Sequence, residues 1–317
     1  MLGPLLFLLF INDLPNATDF FTSLFADDTG LFMSDISQFD LIDRSNIELS
    51  KAALWFKSNK LTLNIKKTKY IMFRKKSMSI SATLPDVRIG GVGINRIGED
   101  CEEKFFKFVG LHLDEYLSWD YHLSKLNKKL STSYFALNSV KNILPLKIRK
   151  TIYNTLFKSH MEFGITCWGA SKNKKIKNIE NIQKKAIRAV SNSSFNAHTI
   201  PLFGKLNILK LHDILQLKGS IFMYKYFNER LPESFNNMFC ALSHQNRTKC
   251  LRLERPIGKV LEQFPKVFLP QIWNSLSLEI KNSCSLNSLK NKLHVDKTNM
   301  YLQFECSKSN CYSCISK

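Results

Sequence analysis

The chain has 317 residues, 44% hydrophobic and 23% charged, which is long and apolar enough for two domains with their own cores. That composition excludes wholesale disorder and collagen-like architecture, and eight cysteines without regular spacing exclude a disulfide scaffold. Lys and Arg number 46 against 26 Asp and Glu, a net charge of +20, and the surplus is uneven: residues 1–65 hold eight acids and four bases, residues 141–190 twelve bases and two acids. A basic block of that density points to a polyanionic partner, most economically nucleic acid, the alternative being a merely solvated lysine-rich surface.

The opening run, residues 1–11, is apolar but lacks a positive n-region, and Asp13 follows almost at once. It is far short of the roughly 20 apolar residues that span a bilayer. No secretion signal and no membrane segment are therefore expected, and the chain reads as intracellular, cytoplasmic or nuclear.

Residues 5–14 read as a buried helix, a continuous apolar run with Pro4 in its first turn. Short apolar strands at 20–25 and 31–33 flank Ala26-Asp27-Asp28-Thr29-Gly30, a hairpin with acids at its tip. From 37 to 58 the period is helical, with Ile42, Leu49, Ala52, Ala53 and Phe56 on one face. Strands are expected at 61–65 and 70–73, a variable hairpin over 77–98, and a last apolar strand over 105–113, broken by Gly110.

After Trp119 only helical patterns remain. Leu123, Leu126, Leu130, Tyr134 and Leu137 form one apolar stripe; Ile176, Ile179, Ala186 and Val190 form another, with Lys174, Lys175, Lys177, Lys184, Lys185 and Arg188 assigned to its exposed side. A further helix is expected over 206–227, stopped before Pro232. The fold class is thus α+β, with a boundary near 115–120 between a strand-containing first third and a helical, basic remainder.

Two adjacent carboxylates at a hairpin tip, Asp27 and Asp28, repel unless a cation neutralises them, and Mg²⁺ favours carboxylate oxygens together with substrate phosphates. An acidic surface turn is the plain alternative. Cys306, Cys311 and Cys314 have zinc-like spacing, with His294, twelve residues upstream, the one nearby fourth ligand for a tetrahedral Zn²⁺.

Phe25-Ala26-Asp27-Asp28 resembles the active-site box of reverse transcriptases. Leu2-Gly3-Pro4-Leu5-Leu6-Phe7 and Phe10-Ile11-Asn12-Asp13-Leu14-Pro15 resemble the box that precedes it in non-LTR (LINE-type, jockey-like) retrotransposon polymerases. Leu63-Asn64-Ile65-Lys66-Lys67-Thr68 fits that family's next palm box, and Phe108-Val109-Gly110-Leu111 its primer-grip hairpin. Ile182-Gln183-Lys184-Lys185-Ala186-Ile187-Arg188 and Trp273-Asn274-Ser275-Leu276 resemble helical segments found behind the polymerase in such elements. Each box alone is weak; their order and spacing along almost the whole chain make the resemblance strong.

The resemblance implies a partial palm with primer-grip hairpin over residues 1–118, a basic thumb-like helical region over 119–200, and a C-terminal helical region over 201–317. It implies template-directed DNA synthesis with an RNA template, a DNA primer, deoxynucleoside triphosphates and Mg²⁺. Asp27 and Asp28 would be catalytic metal ligands, Lys67 would meet the nucleotide (or be an ordinary solvated lysine), Phe108, Val109, Gly110 and Leu111 would seat the primer, and the basic helices would track phosphates. The family's metal site needs a further aspartate from a strand ahead of the Leu2-Gly3-Pro4 box, and a two-ion mechanism needs carboxylates on both sides of the metals. Asp27 and Asp28 supply half of that cage. The expectation is a chain that does not polymerise on its own, the alternative being a non-catalytic nucleic-acid-binding remnant or domesticated fragment.

Overall fold

In a computed structural model the chain forms two compact units that divide between Tyr121 and His122. The structure describes residues 2–239, 251–253 and 261–304.

In the first unit, α1 (Leu2–Ile11) leads through a 3₁₀ turn (Leu14–Ala17) into the antiparallel hairpin β1 (Phe21–Phe25) and β2 (Asp28–Phe32). The run of leucines in α1 is not the buried helix expected: only Ile11 is buried, and Leu2, Leu5, Leu6, Leu8, Leu9 and Phe10 are exposed. A helix apolar on every side can bury just one face, and here that face packs through Phe7 and Ile11 on Leu14 and Phe56.

Helix α2 (Gln38–Ser58) follows its periodicity closely, with the Ser37 hydroxyl accepting from the Asp40 N–H at its start. It ends where Lys60 turns to φ 57° and the Leu61 N–H returns to the Phe56 carbonyl. The alternation Leu61, Leu63, Ile65 is not a strand: the Asn64 carbonyl accepts from the Lys67 and Thr68 N–H groups and closes a turn instead. The next strand is short, β3 (Lys69–Ile71), and pairs in parallel with β6 (Asn95–Ile97). Between them lies a small hairpin, β4 (Arg88–Ile89) and β5 (Val92–Gly93). Residues 105–113 form not one broken strand but two, β7 (Phe106–Phe108) and β8 (Leu111–Leu113), joined by Val109 and Gly110, both at positive φ.

Each ladder has only two strands, which alone is marginally stable. Side chains tie them together. A core of Phe20, Ile42, Leu49, Met72, Val87, Ile89 and Ile94 fills the space between α2 and the strands. The Glu115 carboxylate, 1% exposed, accepts from both arms of Arg74 at 3.0 Å and from the Glu99 N–H at 2.9 Å, with Arg96 at 3.5 Å. Beside it Asp114 accepts from the Tyr116 and Ser118 N–H groups and the Ser118 hydroxyl, holding the loop that leads out of β8.

The second unit is helical throughout its described residues: α3 (Asp120–Ser139), α4 (Leu146–Ile152), α5 (Ser159–Glu162), α6 (Ile165–Trp168), α7 (Lys175–Ser191), α8 (Thr199–Leu206), α9 (Leu211–Phe227), α10 (Pro265–Asn274), α11 (Leu278–Lys281) and α12 (Leu286–Leu302). α4 runs into α5 through a π-helical segment, Tyr153–Lys158. The stripes of α3 and α7 are buried as their spacing requires, with Tyr134 and Ile176 half-buried. The helix expected over 206–227 is two: Leu206 closes α8, Asn207 at φ 53° breaks it, and α9 starts at Leu211. Close packing fixes the arrangement, since a Cβ on Gly204 would lie 2.8 Å from the Leu302 side chain of α12.

Two measurements test these ties. Glu115→Gln leaves two guanidinium groups facing a neutral amide, and breaking a buried pair costs about 3–5 kcal/mol. Hydrogen exchange at β3 and β6 should speed accordingly; a loss under about 1 kcal/mol would show a solvated pair. Glu48 is held below the usual carboxylate range by hydrogen bonds from Lys51 and the Asp19 N–H. A depressed folded-state pKa gives stability that is present above the ordinary value and lost as pH falls through the lowered one. Glu48→Gln should therefore flatten the acid limb of the unfolding profile while leaving the alkaline limb unchanged.

Candidate functional site

The register Phe25↔Asp28 leaves Ala26 and Asp27 as a two-residue turn, with Ala26 at φ 51°. A non-glycine residue there costs roughly 1–2 kcal/mol and persists because the flanking ladder fixes it. Asp27 thus sits in the turn and Asp28 opens β2; both are exposed. Behind them the hairpin is anchored through Phe32, whose ring meets Phe21 at 6.2 Å and Phe108 of β7, edge to face, at 6.1 Å. Gly30 permits this approach: a Cβ there would lie 3.0 Å from the Phe32 ring and 3.1 Å from the Phe108 ring.

The fold therefore packs the acidic hairpin against the one that carries Phe108, Val109, Gly110 and Leu111, all half-buried. Val109 at φ 42° is a β-branched residue in the left-handed region, a strained position at the tip of the second hairpin. Lys67 is exposed in the turn made by Asn64, whose carbonyl and side-chain oxygens both accept from the Lys67 N–H.

The oxygen donors of Asp27 and Asp28 suit a hard divalent cation. Their number does not complete a site: among the described residues no group of three or more His, Cys, Asp or Glu converges on a position that could hold a metal. The buried carboxylates of the same unit, Glu48, Asp114 and Glu115, are engaged in holding the chain together.

The six cations assigned to α7 do not share one environment. Lys174, Lys177 and Lys185 are exposed; Lys175, Lys184 and Arg188 are half-buried. Lys175 donates to the Ser124 hydroxyl at 2.8 Å, so it belongs to the packing against α3 rather than to a free face. Arg188 donates through Nε to the Ala197 carbonyl at 2.9 Å and lies 6.0 Å over the Phe195 ring, and burial lowers its pKa. Lys177 pairs with Glu180 at 3.3 Å.

Cys306, Cys311 and Cys314 lie outside the described residues. His294, their candidate partner, has Nε2 at 2.9 Å from the Asn207 side-chain oxygen. The Trp273-Asn274 pair is structural: Trp273 is fully buried and stacked on Phe227 at 5.2 Å, and the Asn274 amide exchanges hydrogen bonds with the Leu251 backbone in both directions. Sequence reading missed Gln183, 2% exposed within the basic run, and Lys210, which faces Lys184 across a cleft. In the sequence the first is marked only by its helical spacing from Ile179, Ala186 and Val190, and nothing local marks the second.

No family model matches the chain, and no solved structure matches it significantly. It is similar to the probable RNA-directed DNA polymerase from transposon X-element of Drosophila melanogaster, 23% identical over 265 residues, covering 81% of this chain and 27% of that protein. It is also similar to the RNA-directed DNA polymerase from mobile element jockey of Drosophila melanogaster, 22% identical over 227 residues, 68% of this chain and 24% of that protein. The jockey polymerase of Drosophila funebris is 21% identical over 249 residues, 75% of this chain and 26% of that protein. The resemblance to jockey-like non-LTR retrotransposon polymerases is thus found by comparison as well as by motif, at low identity. The chain spans about a quarter of the length of these relatives.

The packing of the two hairpins has its own test. Gly30→Ala drives a methyl against two rings and should destabilise the first unit by about 1–3 kcal/mol. Phe108→Leu removes one ring, so the double variant should cost clearly less than the two single costs added. Strict additivity in unfolding midpoints would mean that the two hairpins do not touch.

Proposed function

We propose that this chain is the palm-to-thumb portion of a non-LTR retrotransposon RNA-directed DNA polymerase. The observation that carries the reading is the packing of the Asp27–Asp28 hairpin against the Phe108–Leu111 hairpin, in a chain similar to such polymerases over most of its length. A polymerase must bring metal-binding carboxylates next to the primer end. On this reading the primer seat lies along the acidic hairpin, where Phe108 meets Gly30 and Phe32, two and four residues on from Asp28. Mg²⁺, when bound, would neutralise the triphosphate and the developing charge on the primer oxygen. Asp27 and Asp28 would supply two of its carboxylates, and a third must come from outside the described residues. Val109 and Gly110 would present the turn on which the primer strand rests, and Lys67 would approach the nucleotide from the neighbouring turn.

Binding of template and primer falls to the second unit in this reading. Lys174, Lys177 and Lys185 recur on the side of α7 opposite its buried face, the arrangement that follows a phosphate backbone. Arg188 is not part of that set, because it holds the 192–198 segment through Ala197.

The decisive experiment places residues 2–304 in the matching stretch of the jockey polymerase. Primer extension on an RNA template is expected, and Asp27→Asn should reduce it by about 10²–10³-fold, the scale on which removing one transition-state group acts. Extension that survives Asp27→Asn overturns the reading; binding without extension supports the non-catalytic alternative. Separately, Lys174→Gln, Lys177→Gln and Lys185→Gln together should weaken binding of the chain to all duplex sequences alike. The slope of log affinity against log salt should fall by about 0.9 for each phosphate that is no longer neutralised. An unchanged slope would make α7 a solvated face.

A further inference from the structure

The second unit contains a cleft of about 480 Å³ between the later turns of α7, the 192–198 segment and the first turns of α8 and α9. Lys184, Arg188 and Lys210 line it, with Lys184 and Lys210 brought together across 26 residues of chain. Lys210 is half-buried, with its ammonium 4.3 Å from the Tyr301 ring centroid. Burial lowers its pKa, and so do the like charges of Lys184 and Lys297, while Asp213 opposes them. The carboxylate among the cleft walls, Glu180, is paired outward with Lys177. Asp213, at the start of α9, is held by Lys297 and the Tyr301 hydroxyl. Cations gathered this way beside the N-terminus of α8 favour an anion, while that of α9 is already answered by Gln183 and by Asp213 in its first turn.

A ring beside the cleft, next in the chain to its wall residue Asn196, identifies the kind of anion. Phe195 is 79% exposed, an aromatic ring at the surface of a loop, and the Arg188 guanidinium lies over it while also lining the cleft. An exposed aromatic face next to cations is the pairing that holds single-stranded nucleic acid, with base on ring and phosphate on lysine. The volume falls within the range for small-molecule sites, too large for a bare ion alone.

We infer that this cleft takes one nucleotide of a single strand, its phosphate between Lys184 and Lys210 and its base on Phe195. The site deepens the nucleic-acid reading above and rests on it, but uses side chains separate from the exposed lysines of α7.

The test is equilibrium dialysis of thymidine monophosphate against the full chain, with thymidine and inorganic phosphate as competitors. Lys184→Gln with Lys210→Gln should weaken binding at least tenfold, and Phe195→Ala about fivefold or more, on the scale of removing one base–ring stack. Thymidine should not compete, and inorganic phosphate should compete more weakly than the monophosphate. A melting profile unchanged from the parent keeps each variant interpretable, and Lys210→Arg, which retains the charge, should restore binding to the Lys184-intact chain. Lys174→Gln with Lys185→Gln, which keeps Lys177 on Glu180, should leave monophosphate binding within twofold while weakening duplex binding, so the cleft and the α7 face fail independently. The proposal is overturned if the monophosphate does not bind, or if the cleft double variant binds it as the parent does. It is overturned equally if inorganic phosphate competes as well as the nucleotide with Phe195→Ala silent, which leaves an anion site without a base platform.

Discussion

The Gln183 side chain, 2% exposed inside α7, divides its amide among three other elements. Nε2 donates to the Tyr153 hydroxyl at 3.1 Å and to the Leu209 carbonyl at 3.0 Å, and Oε1 accepts from the Leu211 N–H at 3.0 Å. Leu211 is the first residue of α9, so the amide caps a helix from within another. Tyr153 is wholly buried in the π-helical segment, and burial pushes its phenol above the usual range, which keeps it a neutral hydroxyl. Three groups that burial would otherwise leave unpaired are thereby satisfied, and an unmade bond of this kind costs about 1–3 kcal/mol each. The rotation of α7 about its axis follows. With Gln183, Ile179, Ala186 and Val190 inward, Lys174, Lys177 and Lys185 have nowhere to go but outward, and Lys184 is carried to the edge of the cleft.

The first unit solves a different problem. Its ladders are short, and no continuous sheet spans them. Two-stranded pieces need outside support, which comes from the core around α2 and from the Glu115 carboxylate, shared by residues 74, 96 and 99. The hairpin of Asp27 and Asp28 packs Leu31 on that core and Leu24 on the cluster of Ile11, Leu14 and Phe56. It leans on aromatic rings from its own β2 and from β7, a packing that fixes distance while leaving both carboxylates in water. Rigid backing with an exposed tip keeps both carboxylates open to solvent while the strands behind them stay fixed.

Where the chain was legible, periodicity spoke for it. α2, α3 and α7 carry apolar stripes long enough to fix both type and face. The acidic hairpin was visible because adjacent carboxylates between two apolar strands are chemically costly. The misreadings have local causes. Alternating Leu61, Leu63 and Ile65 imitate a strand, but Asn64 between them offers its carbonyl to a turn. Asn207 breaks a helix without Gly or Pro to announce it, since Asn tolerates the left-handed region. α1 has no polar face from which to infer a buried one. Gln183, Glu115 and Lys210 act over separations of 16 to 91 residues, and no pattern in one sequence shows which distant groups they meet.

Charge is distributed unevenly between the two units. In the first, bases are largely answered by acids close at hand: Arg44 with Asp35, Lys51 with Glu48, Lys69 with Glu103, Arg88 with Asp86, Arg96 with Asp100. Most of these pairs are exposed on at least one side and add little stability, but they remove the field that would draw a polyanion. Asp27 and Asp28, exposed and adjacent, actively repel one. A phosphate backbone therefore gains nothing from approaching this hairpin on Coulombic grounds, and its attraction must come from elsewhere. On the function proposed, residues 141–190, with twelve bases against two acids, would supply it. Screening in physiological salt limits such attraction to about 8 Å, so basic helices would have to touch a polyanion to hold it. Affinity and any chemistry at the acidic hairpin are thus separable by substitution, which is why lysines of α7 and the cleft can be altered without disturbing Asp27 and Asp28.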